Sequence, residues 1–172
     1  MYSAHASDLA VALVALDAAV EIQSPGGRRT VSLNDLYRLP DATPHIETVL
    51  EPGEVIAAVA VPARSGAQRS HYLKVRDRAS FEFALVSAAV AVDMNGPRIR
   101  QAHIALGGVG TKPWRVPAVE AALAGANLDP ATLRRAAAFA TDGAQRRGGN
   151  GFKVELMQRA IVRAVEIAGA GA

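Results

Sequence analysis

The chain contains no cysteine, and this absence excludes three kinds of chemistry. Without thiols it forms no disulfide, carries no thiol nucleophile and supplies no cysteine ligand to an iron–sulfur cluster. The histidines stand far apart in the sequence, without the spacing of metal ligands, at His5, His45, His71 and His103. A structural or surface role is favoured over metal binding at each of them. The sequence therefore predicts no metal site.

Aromatic residues are also scarce, at 5% of the chain, although 50% of its residues are hydrophobic. Much of the hydrophobic fraction is alanine, and small side chains allow helices to pack closely on a sheet. A chain of 172 residues has room for one domain, or for one domain and part of another. The composition predicts close-packed helices on a sheet rather than a bulky aromatic core.

Strong charge and long apolar runs are absent as well. The formal net charge is +3, and the paired arginines have no aromatic residues between them, which argues against a nucleic-acid surface. No apolar run reaches the roughly 20 residues that span a bilayer. The first residues lack the basic region and apolar core of a secretion signal. We expect no nucleic-acid partner, no membrane span and a cytoplasmic location.

The best-defined pattern is a central hairpin with an Asn-Gly dipeptide, Asn95-Gly96, between two apolar runs. Asn-Gly between such runs predicts a type I′ turn, whose two central residues need positive φ. At period two, the even positions of 86–94 fall on one face of the first strand. The odd positions, which include Ser87, Ala89 and Ala91, form a face of small residues. We therefore expect both faces of this hairpin to be at least partly covered by other elements.

The first third of the chain alternates a helix signal with strand signals. Ser7-Asp8 precedes an apolar periodic run, which predicts a helix with its N-cap at this pair. Residues 19–22 and 29–33 predict two strands joined by a Pro-Gly-Gly turn, and residues 54–61 predict a third strand. The small polar residues at 63–69 form a connector, which is the best candidate for a domain boundary.

The rest of the chain is predicted as strands followed by helices. A strand over 70–75 precedes the central hairpin, and Pro117 and Asp129-Pro130 then mark two helix starts. Apolar residues at three-and-four spacing predict a last helix over about residues 154–168. This order predicts an α+β fold, with a three-stranded antiparallel sheet packed against a layer of helices.

The residues themselves define no catalytic constellation. Residues 107–110, with the sequence GGVG, follow a strand, but Pro113 prevents a helix from opening there, so a strand-ending turn is favoured over a phosphate loop. Asp8 is either a helix cap or a cap that also accepts a hydrogen bond from a ligand hydroxyl. Lys74 lies in mid-strand. Its ammonium group is either solvated, which the sequence alone favours, or faces an electron-rich ring or a phosphate. Both functional alternatives stay open at this point.

Four separated segments resemble one known family. They are residues 4–13 (AHASDLAVAL), 72–87 (YLKVRDRASFEFALVS), 105–115 (ALGGVGTKPWR) and 149–156 (GNGFKVEL). Together and in this order they resemble the FAD-carrying medium subunit of the molybdenum hydroxylases, the superfamily of xanthine dehydrogenase, aldehyde oxidoreductase and carbon monoxide dehydrogenase. The aldehyde oxidoreductase type is the most similar.

The resemblance implies a fold, a cofactor and partners. Residues 1–62 would be the tail of a vanillyl-alcohol-oxidase-type FAD-binding subdomain, and residues 63–172 the flavoprotein C-terminal domain. FAD would relay electrons from iron–sulfur clusters to an acceptor. The implied partners are a large subunit with the molybdenum cofactor and a small iron–sulfur subunit. In an exported complex of this kind, the location would be periplasmic.

Three residues match cofactor-binding positions of the family. Asp8 matches the residue that binds the ribityl chain of FAD. Ile56 matches an apolar residue near the adenine or the flavin edge. Lys74 matches the lysine beside the isoalloxazine ring, where a cation stabilises negative charge on a reduced flavin.

One element of the family pattern is missing from the sequence. The resemblance implies a glycine-rich loop that cradles the FAD pyrophosphate, and none is found here. The chain would then be a truncated gene, one part of a split subunit with a separate N-terminal piece, or an engineered fragment. Alternatively it is a docking module or a remnant without flavin. We expect the isolated chain to be colourless, and some apolar surface of residues 1–62 to be exposed.

Overall fold

Two antiparallel sheets and five α-helices make up the computed structural model, which describes residues 4–40, 42–63, 69–146 and 148–171. The predicted connector at 63–69 falls mostly outside the described residues, and the division into 1–62 and 63–172 stays a prediction. The elements follow one another as α1 (Asp8–Ala15), β1 (Ala19–Ser24), β2 (Gly27–Ser32), α2 (Leu33–Leu36), β3 (Val55–Ala60), β4 (Ser70–Val75), β5 (Val86–Asn95), β6 (Arg98–Gly107), β7 (Trp114–Arg115), α3 (Pro117–Leu123), α4 (Pro130–Ala138) and α5 (Phe152–Ala170).

The first sheet has the strand order β2-β1-β3, with both pairings antiparallel. The predicted strands are confirmed, although β1 runs two residues further, to Ser24, and β2 begins earlier, at Gly27. This shift follows from the tight connection, because Ser24 and Gly27 already pair across it. Val20 and Ile22 point into the core and are each 1% exposed, so β1 is the strand that anchors this sheet.

The second sheet has the order β4-β5-β6-β7. The three predicted strands are its three long members, and the α+β class is confirmed. The sheet is four-stranded rather than three-stranded, because Trp114 and Arg115 pair with Leu106 and Ala105 at its edge. A two-residue strand after Pro113 carries no alternation that sequence reading detects.

The turn of the central hairpin differs from the predicted type I′. Asn95 is still paired, with Arg98 as its partner, so the two central residues are Gly96 and Pro97. Proline fixes φ near −65°, which rules out a turn that needs positive φ at both positions. Gly96 has φ +57°, and positive φ at the first central residue alone is the pattern of a type II′ turn.

Both faces of the central hairpin are covered, as the period-two pattern predicts. One face packs against the helices in a core that includes Val90, Ile104, Leu133, Ile161 and Val165. The small face packs against α1 and the first sheet, and Ala89 and Ala105 belong to that second core. Because these side chains are small, α1 approaches the strands closely and is fixed relative to them.

Capping residues set the helix starts. The Ser7 hydroxyl accepts a hydrogen bond from the Ala10 N–H at 3.1 Å, so Ser7, and not Asp8, is the N-cap of α1. Asp129 caps α4 as predicted, since its carboxylate accepts from the N–H groups of Ala131 and Thr132. The predicted last helix is confirmed as α5, whose buried face lies on β5.

Strand β3 presents an apolar surface to solvent. All six of its residues are exposed, including Val55, Ile56 and Val59, and Val61 follows directly. Within the part of the chain that the structure describes, no strand pairs with its outer edge. Long apolar edge strands without a charge or a proline promote edge-to-edge pairing. The expected exposure of apolar surface is thus confirmed for this strand.

We predict that the isolated chain self-associates through β3. Val59→Lys places a charge on this edge strand and should shift the chain towards monomer in size-exclusion chromatography with light scattering. Phe139→Lys is the matched control, because Phe139 is 49% exposed against 47% for Val59 and lies in a 3₁₀ turn after α4. A chain that is monomeric at every concentration, or equal shifts in both variants, would contradict the prediction.

Candidate functional site

A charged pair links the start of α1 to strand β4. Lys74 Nζ donates to Asp8 Oδ2 at 2.7 Å, although 66 positions separate the two residues. Because the Ser7 hydroxyl caps α1 at the Ala10 N–H, the Asp8 carboxylate is free to point away from the helix. The solvent alternative for Lys74 is wrong, since its side chain is only 22% exposed and its ammonium is paired. The structure brings two of the three predicted cofactor-binding residues together.

Two further side chains extend this pair into a network. Tyr72 donates its hydroxyl to Asp8 Oδ1 at 2.8 Å and lies 3.0 Å from the Ser87 hydroxyl. Tyr72 and Lys74 share a face of β4 because side chains repeat at period two, and Ser87 stands opposite Lys74 in the antiparallel register. These four residues define the Asp8 network: Asp8, Tyr72, Lys74 and Ser87.

The network keeps the Asp8 carboxylate ionised. Partial burial alone would raise the pKa of Asp8, but hydrogen bonds from Lys74 and Tyr72 and the charges of Lys74 and Arg76 lower it below its ordinary value. Burial raises the pKa of Tyr72, and the neighbouring Asp8 carboxylate adds to that rise against the opposing effect of Ser87. The phenol therefore remains a hydrogen-bond donor throughout the physiological pH range.

A cavity of about 380 Å³ opens beside the network. Asp8, Ser87 and Val11 form part of its wall, while Gly107 and Gly108 close one side. Gly108 has φ +74°, which confirms that the glycine-rich segment is a strand-ending turn. Phe83 stands at the rim and is 73% exposed. A mostly apolar cavity with a few convergent polar groups is typical of a small-molecule binding site.

His5 also lies in the cavity wall. Its Nε2 atom is buried and has no hydrogen-bond partner among the described residues, and its ring meets that of Tyr37 edge to face at 4.7 Å. Burial lowers the pKa of His5 against a smaller opposing effect of Glu47, so the imidazole is neutral at pH 7.

Sequence reasoning missed Tyr72, Ser87 and His5 as members of the site. The signal for Tyr72 was present, because it lies two positions before Lys74 on the same strand. Ser87 was placed on the small face of β5, but its position opposite Lys74 depends on the register of two strands, which the sequence does not state.

Ile56 lies on strand β3 of the first sheet, where it pairs with Ile22 and is 45% exposed. It is not one of the described residues that line the cavity beside Asp8. Its predicted contact with the cofactor therefore stays a prediction.

No group of three or more potential metal ligands occurs within residues 4–40, 42–63, 69–146 and 148–171. In the same part of the chain, no helix is long and apolar enough to cross a membrane.

The fold and the site together define an α+β module with a cavity beside a charged pair. Two protein-family models match the chain. Residues 71–168 match the CO dehydrogenase flavoprotein C-terminal domain, and residues 1–64 match the FAD binding domain in molybdopterin dehydrogenase. The chain belongs to the family of FAD-binding medium subunits of the molybdenum hydroxylases, as its four motifs predicted.

Individual relatives agree with this assignment. The aldehyde oxidoreductase FAD-binding subunit PaoB of Escherichia coli (strain K12) is 50% identical over 120 residues, covering 69% of this chain and 36% of the relative. The nicotine 6-hydroxylase medium subunit of Paenarthrobacter nicotinovorans is 32% identical over 173 residues, covering 96% of this chain and 57% of that relative. The chain thus spans between about a third and three fifths of these relatives.

Solved structures show the same architecture. A crystal structure of the Cu,Mo-CO dehydrogenase in a cyanide-inactivated form matches with a TM-score of 0.84 and 29% sequence identity. The match covers 96% of this chain and 57% of that one.

Proposed function

We propose that this chain forms the part of an FAD-binding subunit that contacts the ribityl chain and the ring of the flavin. The observation that carries the proposal is the Asp8–Lys74 pair beside the 380 Å³ cavity. Half of the Asp8 side chain is exposed, so its carboxylate has lone pairs left for ligand hydroxyls. A carboxylate that accepts hydrogen bonds, beside a lysine cation, therefore fits a polyol next to a ring that gains negative charge.

Each residue of the pair has a distinct task in this proposal. FAD, when bound, accepts and passes on electrons. Asp8 accepts hydrogen bonds from the ribityl hydroxyls and holds the Lys74 ammonium in place. Lys74 supplies a fixed positive charge, and its 22% exposure reduces the screening of that charge by water. Ile56 is proposed to contact the adenine or flavin edge from strand β3.

The complex in which this would occur is also a proposal. Relatives are named as medium subunits or medium chains, which supports a large and a small partner subunit. We propose a large molybdenum-cofactor subunit and a small iron–sulfur subunit, in the cytoplasm or in the periplasm as part of an exported complex. The exposed β3 surface supports a further partner, a separate N-terminal piece of the FAD-binding domain. Purification of a flavin-free complex with the large subunit would favour the docking alternative instead.

Titration with FAD tests the proposal. The chain alone should bind no stoichiometric flavin, because Asp8 and Lys74 offer no cluster of backbone N–H groups for the pyrophosphate. Mixing the chain with the N-terminal part of the E. coli relative should restore binding. A yellow protein after purification of the chain alone would contradict the first expectation, and an FAD-free mixture would contradict the second.

Substitution of Asp8 tests its role in the restored assembly. Asp8→Ala should weaken FAD binding by about tenfold or more, because it removes a charged hydrogen-bond acceptor worth about 1.5–3 kcal/mol. Asp142→Ala is the control, since Asp142 is an aspartate outside the cavity wall. Equal affinities of the Asp8 and Asp142 variants would exclude Asp8 from the flavin site.

A further inference from the structure

The hydrogen bonds of the Asp8 network run in one direction. An ionised carboxylate only accepts, so the single hydroxyl proton of Tyr72 is donated to Asp8 Oδ1. The Tyr72 oxygen then has to accept in its contact with Ser87, which makes Ser87 the donor at 3.0 Å. Lys74 donates to the other carboxylate oxygen, Oδ2. The order is therefore Ser87 to Tyr72 to Asp8, with Lys74 on the opposite side.

The inner end of this chain of hydrogen bonds is fixed by packing. Ser87 is 1% exposed, in the middle of the sheet. A Cβ atom on Gly107 would lie 2.4 Å from the Ser87 hydroxyl and 2.8 Å from a Val11 methyl group, so the strand backbone and α1 enclose Ser87 closely. The Ser87 hydroxyl is thus a rigid support for Tyr72, and through it for the more exposed Asp8.

We propose that Tyr72, supported by Ser87, is the positioning residue of the flavin site. It holds one oxygen of Asp8, so that the other oxygen stays paired with Lys74 and the outer lone pairs stay directed to the cavity. Neither family membership nor the sequence motifs assign this role. The proposal deepens the proposed function and rests on it for the identity of the ligand, but the hydrogen-bonded support itself does not depend on FAD.

The first experiment uses the isolated chain and needs no cofactor. Titration of the Asp8 carboxyl carbon by NMR should show a higher pKa in Tyr72→Phe than in the unaltered chain, because one of the hydrogen bonds that favour the ionised form is lost. Ser87→Ala should give a smaller rise in the same direction, since Tyr72 still donates. Tyr37→Phe removes the hydroxyl of another partly buried tyrosine and should leave the Asp8 titration unchanged.

A folded Tyr72→Phe chain with an unchanged Asp8 titration would overturn the proposal. If Tyr72→Phe does not fold, Ser87→Ala decides, and an unchanged titration there has the same meaning. A general loss of structure would alter the titration of all carboxylates, whereas the positioning role predicts a change centred on Asp8.

The second experiment uses the assembly of the chain with the N-terminal part of the E. coli relative. Tyr72→Phe should weaken FAD binding by about five- to tenfold, which is less than the loss of a direct hydrogen bond to a charged group, because Tyr72 acts through Asp8. Tyr72 is not among the described residues that line the cavity. An unchanged affinity of the Tyr72→Phe assembly for FAD would show that Tyr72 does not position Asp8 for the ligand. An unaltered assembly that binds no FAD would refute the proposed function, while the NMR result would still decide on the support of Asp8 by Tyr72.

Discussion

Replacing Arg115 with methionine should lower the free energy of unfolding by about 2–4 kcal/mol, because it removes the cation that two partly buried carboxylates share. Arg115 forms ion pairs with Asp17 and Glu120, and it donates to the Val14 carbonyl at 3.1 Å. Its side chain is 16% exposed. Burial alone would lower the pKa of Arg115, but hydrogen bonds to Glu120 and Asp17 raise it, so the guanidinium stays charged.

The position of Asp17 makes this loss larger than that of a surface pair. Asp17 has φ +53°, and the N–H groups of Asp17 and Ala18 bond to the Val14 and Leu13 carbonyls, the pattern of a Schellman motif at the end of α1. Glycine is the usual residue at this position, and an aspartate there costs about 1 kcal/mol or more of backbone strain. Its ion pair with Arg115 offsets that strain.

Chemical denaturation of Arg115→Met and of a matched variant, Arg100→Met, would measure the effect. Arg100 also pairs with an aspartate, Asp93, but its side chain is 65% exposed, so its loss should cost no more than about 1 kcal/mol. Equal losses of stability in the two variants would show that the Arg115 cluster contributes no more than a surface ion pair.

Gly108→Ala should lower the free energy of unfolding by about 2–4 kcal/mol, because two independent penalties combine at this glycine. Its φ of +74° is unfavourable for any residue with a Cβ, at about 1 kcal/mol or more. A Cβ there would also lie 2.8 Å from the Leu85 carbonyl oxygen and 2.9 Å from that of Ala84. These are backbone atoms, so relief requires the chain itself to move, which typically costs about 1–3 kcal/mol.

Gly125→Ala isolates the first penalty. Gly125 has φ +76°, but a Cβ there would meet nothing within 4 Å, so this variant should lose only about 1 kcal/mol. The difference between the two variants measures the close approach beside the cavity. If the Gly108 and Gly125 variants had the same unfolding midpoint, and their free energies of unfolding the same dependence on denaturant, the contacts at Gly108 would relax without cost.

In the assembly with FAD, Gly108→Ala should also weaken FAD binding, because Gly108 lines the cavity.

The exposed β3 strand bears on both the stability and the function of the chain. Its apolar residues find no cover among the described residues, while Val20 and Ile22 of the neighbouring β1 are buried. A partner that pairs with this edge would bury them and stabilise the chain by mass action. The self-association test and the FAD titration with an N-terminal piece therefore examine the same surface with two different partners.

The sequence by itself determined the features that depend on neighbours along the chain. The period-two pattern of residues 86–94 placed both faces of the hairpin, the Asp129-Pro130 pair marked the start of α4, and three-and-four spacing gave α5. These signals are local, because side-chain direction in a strand or helix follows from spacing alone. The family motifs likewise pointed to Asp8 and Lys74.

Only the tertiary structure decided which of these residues meet. Asp8 and Lys74 are paired because α1 packs on the small face of the sheet, and Ser87 joins the network through the register of β4 with β5. The hairpin turn shifted by one residue from its predicted place, since the fixed φ of Pro97 selected between adjacent positions. The Arg115 cluster joins residues about 100 positions apart, and no spacing in the sequence encodes a contact of that range.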